Sequence, residues 1–330
     1  MPNDARAVLV APDSFKGTFR ASEVAAAIGR GLESVVAAAP DLMPVADGGE
    51  GTLEVLLLAL GGETAGAEAS DALRRPIKAG YGLVEDGSTA IVETAQAIGL
   101  PQIAASERDA EAASSYGAGQ LIAAAAQSGA SRIIVAVGGS ASSDGGAGAL
   151  EAIEEVGGIG EAELIICCDV NTPFEKAAEV FGPQKGADPA AVERLTARLN
   201  EFAATLPRDP RGVEMSGGAG GLSGALWAQY GAALEPGAGF VLSALSADER
   251  IQAARAVIVG EGRIDHTTLE GKIAAEISVR ARQLGVPCYA VVGNNGLEPI
   301  DQRILDIQAI IEATTLDQIE QAGGQIGAYL

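Results

Sequence analysis

Short apolar runs that break into glycine-rich, carboxylate-bearing loops and then into helical stretches recur along this chain. That alternation confines it to an α/β architecture built on parallel strands. Residues 7–11 stop at Pro12-Asp13-Ser14-Phe15-Lys16-Gly17, ahead of an alanine-rich helical stretch over 21–38. Pro44-Val45-Ala46 lead into Asp47-Gly48-Gly49-Glu50-Gly51-Thr52, and residues 52–60 read as the next helix. Residues 133–137 enter a loop running from Gly138 to Gly146, with a helix over 147–155 behind it. A strand over 256–259 opens into Gly260-Glu261-Gly262-Arg263-Ile264-Asp265. Such loops sit at the carboxyl ends of strands, where open α/β sheets bind ligands. Glycine lets backbone N–H groups turn toward an anion, and nearby carboxylates suit a hard cation such as Mg2+.

The period changes in the middle of the chain. Residues 80–84 and 90–93 flank the turn Glu85-Asp86-Gly87-Ser88 as an antiparallel hairpin, followed by a helix over 114–128, a strand over 164–168 and a helix over 188–205. Regular β/α alternation returns from 256 to the end. The pattern predicts a discontinuous domain from 1–65 and 246–330, with a second domain, 66–245, inserted into it.

Composition narrows the partners. Aromatics are 4% of 330 residues, and aliphatic side chains and alanine carry the apolar content, as suits helices packed on a parallel sheet. The net charge of −22 repels nucleic-acid phosphates and anionic membranes, so neither is an expected partner. An anionic substrate then needs basic residues gathered locally, and Lys16, Lys185, Arg263 and Lys272 lie in or beside the glycine-rich stretches. Three cysteines, Cys167, Cys168 and Cys288, form neither a disulfide framework nor a C-x-x-C metal pair. The opening residues show no secretory leader and no run is long enough to span a membrane, so a cytoplasmic protein is expected. His266 is the single histidine, which excludes a histidine-pair metal site and confines any Ser-His-Asp device to that residue.

Neither common nucleotide fingerprint is present. Gly271-Lys272 lacks the glycine and hydroxyl residue that a P-loop requires, and no G-x-G-x-x-G follows a strand. A kinase without them still needs donors for the transferred phosphoryl, a divalent metal, a group for the acceptor hydroxyl and a clamp for acceptor charge. The loop from Ser140 to Gly146 ahead of its helix fits a phosphate cradle, and equally a tight turn with capping serines. Asp47, Glu50 and Asp169 are candidates for metal or base, and equally for turn and cap positions.

Taken together, these segments resemble the glycerate kinase family that lacks a P-loop, often called type I. The matching stretches run in family order: Ala11–Gly17, Asp47–Thr52, Gly138-Gly139-Ser140 with Asp144–Gly148, Asp169-Val170, Val180–Ala187, Gly218–Leu222, Gly260–Asp265 and Thr268–Lys272. The resemblance implies ATP- and Mg2+-dependent phosphorylation of D-glycerate, in most members at the 2-hydroxyl. It implies a Rossmann-like first domain interrupted by a mixed α/β second domain, with the active site in the cleft between them, and leaves a homodimer open.

On this reading Ser14, Lys16 and the loop Asp47-Gly48-Gly49-Glu50 form one wall, Arg263 grips the glycerate carboxylate and Asp265 orients it. Ser140, Ser142, Asp144, Gly145, Gly146 and Lys185 hold the ATP phosphates. Asp47 or Asp169 binds Mg2+ or takes the hydroxyl proton. Two departures stand out: Ser142-Ser143 replaces the Thr-Asn usual in the family, and the segment between Leu150 and Asp169 is short. A 3-phosphoglycerate-forming kinase and an inactive binding homologue are therefore the alternatives.

Overall fold

A computed structural model describes residues 6–270 and 272–330. The first five residues of the stretch read for a leader, and Gly271 of the Thr268–Lys272 motif, lie outside them. Along the chain run strands β1 (Val8–Pro12), β2 (Asp41–Leu42), β3 (Gly62–Ser70), β4 (Pro76–Val84), β5 (Thr89–Glu93), β6 (Arg132–Ala136), β7 (Glu163–Cys168), β8 (Ala233–Pro236), β9 (Ala256–Glu261), β10 (Cys288–Val292) and β11 (Ile307–Glu312).

The chain divides into two compact units, Met1–Asp47 with Val241–Leu330, and Gly48–Phe240. The sequence reading puts the borders at 65/66 and 245/246. The first lies earlier because the helix Thr52–Leu60 packs on β4 and β5, and β3 pairs along its whole length with β4.

The first unit is a five-stranded sheet in the order β11-β10-β9-β1-β2, parallel throughout. β1 and β9 are buried along their whole length, as unbroken apolar runs in a helix-covered parallel sheet should be. Val8, Val10, Ile28, Leu32, Ile258, Ile319 and Ile326 share one core, which the helices Ala21–Glu33 and Leu316–Gly327 close by packing on each other. From β1 the chain proceeds to β2 on one side; from β9 it proceeds through β10 to β11 on the other. The β1/β9 junction is therefore the topological switch point, the place where ligands bind in open α/β sheets.

The second unit is a six-stranded mixed sheet, β3-β4-β5-β6-β7-β8, antiparallel from β3 to β5 and parallel from β5 to β8. Val92, Leu121, Ile122, Ile133, Val135 and Ile166 belong to its main core, and Phe174, Leu195 and Leu199 to a smaller one. The whole is thus α/β, with a Rossmann-like parallel sheet built from both chain ends.

One local expectation changes, and one strand appears where none was expected. The helix expected over 21–38 ends at Glu33, because Pro40 disfavours helical geometry at the residue before it and β2 pulls the chain into register with β1. β3, whose sequence GETAGAEAS carries no branched apolar residue, pairs for nine residues with β4, so tertiary pairing overrides weak strand propensity. No helix among the described residues is long and apolar enough to cross a membrane.

Candidate active site

In the first unit a cavity of about 460 Å3 opens at the switch point, a size suited to a small ligand. Ser14, Lys16, Asp47 and Arg263 line it, bringing together residues that three separate motifs contribute. Lys16 Nζ donates to Asp47 Oδ2 at 3.1 Å. Arg263 Nε donates to Asp265 Oδ2 at 2.8 Å, and Asp265 Oδ1 in turn accepts from the Thr267 hydroxyl at 2.6 Å. The Thr267 hydroxyl is the largest cause holding the Asp265 carboxyl below its usual range, and Arg263 adds to it. Asp265 therefore stays ionised and aims the otherwise exposed Arg263 guanidinium. Ser14 Oγ is buried with no hydrogen-bond partner among the described residues, a donor left for a ligand.

Sequence reasoning gave no role to two carboxyls in this cavity, while Lys272 joins them as one of the basic residues it had named. Asp13 and Glu261 are 6% and 8% exposed and both line it, as does Lys272. Burial, with Asp47 next, pushes Asp13 up to about 8; burial pushes Glu261 up to about 7, against Lys272 and the Thr268 hydroxyl. The available signal was positional: each follows or ends a strand whose carboxyl end the pattern had already marked as a ligand position. His266 is exposed and is not among the residues lining the cavity.

The second unit handles its glycine-rich loops differently from expectation. Gly48 has φ +95°, and a Cβ on it would meet Gly237 Cα at 2.8 Å; a Cβ on Gly138 would meet Gly49 Cα at 2.6 Å and Asp169 Oδ2 at 2.8 Å. Gly48 and Gly49 are thus sites of close backbone packing against the Gly138 turn, while Glu50 is exposed. The helix Thr52–Leu60 has Gly51 as its N-cap, with no side chain to cap it. Glu93, 1% exposed at the end of β5, takes that role: its Oε2 accepts from Gly51 and Leu53 N–H, each at 3.0 Å. The anion position at this helix start is filled from within.

Asp144 fills the next one. Its Oδ2 accepts from Ser115 N at 2.8 Å, Ser115 Oγ at 2.9 Å and Gly148 N at 3.2 Å, and its Oδ1 from Gly146 N at 3.1 Å. Gly145 N donates to Gly220 O at 3.0 Å, and Ser142 is fully buried. The amides of Gly145 and Gly146, expected to face phosphate, are spent on the loop's own fold. What stays available is Lys185, 3% exposed, whose Nζ donates to Ser142 O at 2.5 Å and sits 3.5 Å from Ser140 Oγ. Burial pushes its ammonium down to about 8, while Asp144 and Asp169 oppose the shift. Gly139, next to Ser140, is exposed, as is Asp169.

Among the described residues no group of three or more His, Cys, Asp or Glu side chains gathers to hold a metal. Mg2+ takes one or two carboxylates and completes its shell with phosphates and water. Asp169, exposed beside the Gly138 turn, and Asp47, ion-paired with Lys16, are the carboxylates that could serve it.

Comparison with known proteins identifies the family. Residues 8–156 and 155–323 match the Glycerate kinase family. The chain is 35% identical to the Glycerate 2-kinase of Escherichia coli strain K12, covering 98% of this chain and 97% of that one. It is 36% identical to the Glycerate kinase of Bacillus subtilis strain 168, over 87% and 85%. A solved structure from Salmonella typhimurium LT2 carrying the name glycerate kinase 2 superposes with a TM-score of 0.82 at 30% identity, covering 98% of each chain. With both halves matched in sequence and the whole chain in structure, this protein belongs to the glycerate kinase family.

Proposed function

We propose that this chain transfers the terminal phosphoryl of ATP to the 2-hydroxyl of D-glycerate, giving 2-phosphoglycerate and ADP, with Mg2+ as cofactor. The observation that carries the reading is the convergence of Ser14, Lys16, Asp47 and Arg263 on one cavity in a chain of this family. Support for the 2-hydroxyl comes from the Escherichia coli relative, which is named a glycerate 2-kinase.

The acceptor binds in the first unit. Arg263, aimed by Asp265, pairs with its carboxylate in a fork, Ser14 Oγ donates to it, and Lys16 neutralises charge gathering on the transferred phosphoryl. The second unit supplies Lys185, with Ser140 and the exposed Gly139 turn, for the donor phosphates. Ser142, Asp144, Gly145 and Gly146 shape that loop from behind. Asp169 would hold Mg2+, which neutralises phosphate charge when bound.

The test is ADP formation from Mg-ATP and D-glycerate, coupled through enolase alone or through enolase with phosphoglycerate mutase. Signal with enolase alone is the expected result. Signal only with the mutase moves the chemistry to the 3-hydroxyl. Ligand binding without ADP in either arm overturns the kinase reading.

A further inference from the structure

We infer that Asp13 is the catalytic base of this enzyme, taking the proton of the acceptor hydroxyl as it attacks the terminal phosphorus. The inference rests on the glycerate kinase reading above and adds a residue to it.

Three carboxyls line the first unit's cavity, and their engagements separate them. Asp47 is ion-paired with Lys16. Glu261 Oε1 accepts from the Thr268 hydroxyl at 3.2 Å, and Lys272 is the strongest charge acting on it. Asp13 is held differently. Its backbone N–H donates to Gly260 O at 2.8 Å, which locks it to the neighbouring strand end, and its Oδ1 accepts from Ser14 N at 2.6 Å. Its Oδ2 accepts no hydrogen bond from the described residues. A carboxyl fixed by one oxygen and free at the other, nearly shut off from water yet lining the cavity, is built to accept a hydrogen bond from a ligand hydroxyl.

Position strengthens the case. Asp13 stands at the carboxyl end of β1, on the β1/β9 switch point, and the next residue, Ser14, offers its unpartnered Oγ to the same cavity. Lys16 lies two residues further on and supplies positive charge where the phosphoryl transfers. The step balances: the hydroxyl oxygen bonds to the terminal phosphorus, the bond from that phosphorus to the bridging oxygen breaks with its electron pair leaving on ADP, and the proton passes to Asp13 Oδ2.

The charged groups facing Asp13 are Asp47 and Glu261, which raise its pKa, and Lys16, which lowers it. As a base it works ionised, so kcat/KM should rise with pH along a limb near its raised pKa. The experiment measures kcat, KM and pH profiles for the wild type, Asp13→Asn, Asp47→Asn and Lys16→Met, with glycerate binding followed by calorimetry. Asp13→Asn should lose about a hundredfold or more in kcat, the usual contribution of a positioned base, keep glycerate binding and lose the limb. In the residual activity of the others the limb should move to lower pH in Asp47→Asn and to higher pH in Lys16→Met. An active wild type with Asp13→Asn within about threefold of it in kcat would overturn the assignment of Asp13 alone. So would a limb that stays in place in Asp47→Asn. A wild type that does not phosphorylate glycerate would remove the kinase reading, and Asp13's role with it.

Discussion

Asp13 and Glu261 stand side by side at the ends of two hydrogen-bonded parallel strands: Pro12 is in register with Gly260, and Asp13 N–H donates to Gly260 O. Burial raises the pKa of both carboxyls, with Asp47 and then Glu261 adding to the rise at Asp13, and the fold tolerates this because the position faces a cavity rather than the core.

That arrangement has a stability consequence with a definite sign. Asp13 binds its proton more tightly folded than unfolded, so its favourable contribution is complete below its unfolded pKa of 3.8 and is lost as pH rises toward about 8. Asp13→Asn removes that loss. The variant should match the wild type near pH 4 and exceed it at pH 8 by on the order of a few kcal/mol, read from urea unfolding at both pH values. Equal stabilities at pH 8 would contradict the buried, proton-hungry carboxyl.

Lys16→Ala tests the acceptor wall without threatening the fold. The Lys16–Asp47 pair is half exposed on the lysine side, at 56%, so its loss should cost no more than about 1 kcal/mol in thermal unfolding. Glycerate kinase turnover should nevertheless fall by about two orders of magnitude, since a charge aimed at the transferred phosphoryl acts mainly in the transition state.

Arg263→Lys keeps the charge and removes the fork. Asp265 would lose its partner at Nε, and the carboxylate of the acceptor would lose paired donors. Steady-state kinetics should show KM for glycerate rising about tenfold, with KM for ATP unchanged.

Lys185→Met addresses the donor side. The buried ammonium that holds Ser142 O would be replaced by an apolar chain of similar length, so the helix content should persist by circular dichroism. Calorimetry should show ATP affinity falling about tenfold or more, the scale of a charge-assisted hydrogen bond, while glycerate binding stays.

Glu93 offers a purely structural contrast. Glu93→Ala strands the Gly51 and Leu53 amides at the start of the helix Thr52–Leu60 and should cost about 1–3 kcal/mol in urea unfolding. Glu93→Gln, which keeps an acceptor oxygen, should recover most of it. Burial raises the Glu93 pKa, so the neutral amide is an apt replacement.

Much of this was legible from residue order. The apolar runs of β1, β6, β9 and β10 announce a parallel sheet because strands covered on both faces need no polar alternation. The turn Glu85–Ser88 announces the β4/β5 hairpin. The motifs around Ser14, Lys16, Asp47 and Arg263 point to anionic chemistry, and the fold gathers those four residues on one cavity. β3 was invisible because its glycines, alanines and glutamates carry no strand signal of their own and gain order only from β4.

What the sequence by itself determined was the fold class, the family and the set of glycine-rich loops that carry the chemistry, since periodicity, turn residues and motif order are local properties. Only the tertiary structure decided which polar groups remain for a ligand. Hydrogen-bond capacity is finite, and its use depends on residues far apart in the chain. Glu93 spends the helix start after Gly51, and Asp144 and Gly220 spend the amides of Gly146 and Gly145. Asp13, by contrast, emerges with one carboxyl oxygen uncommitted on the cavity at the β1/β9 edge.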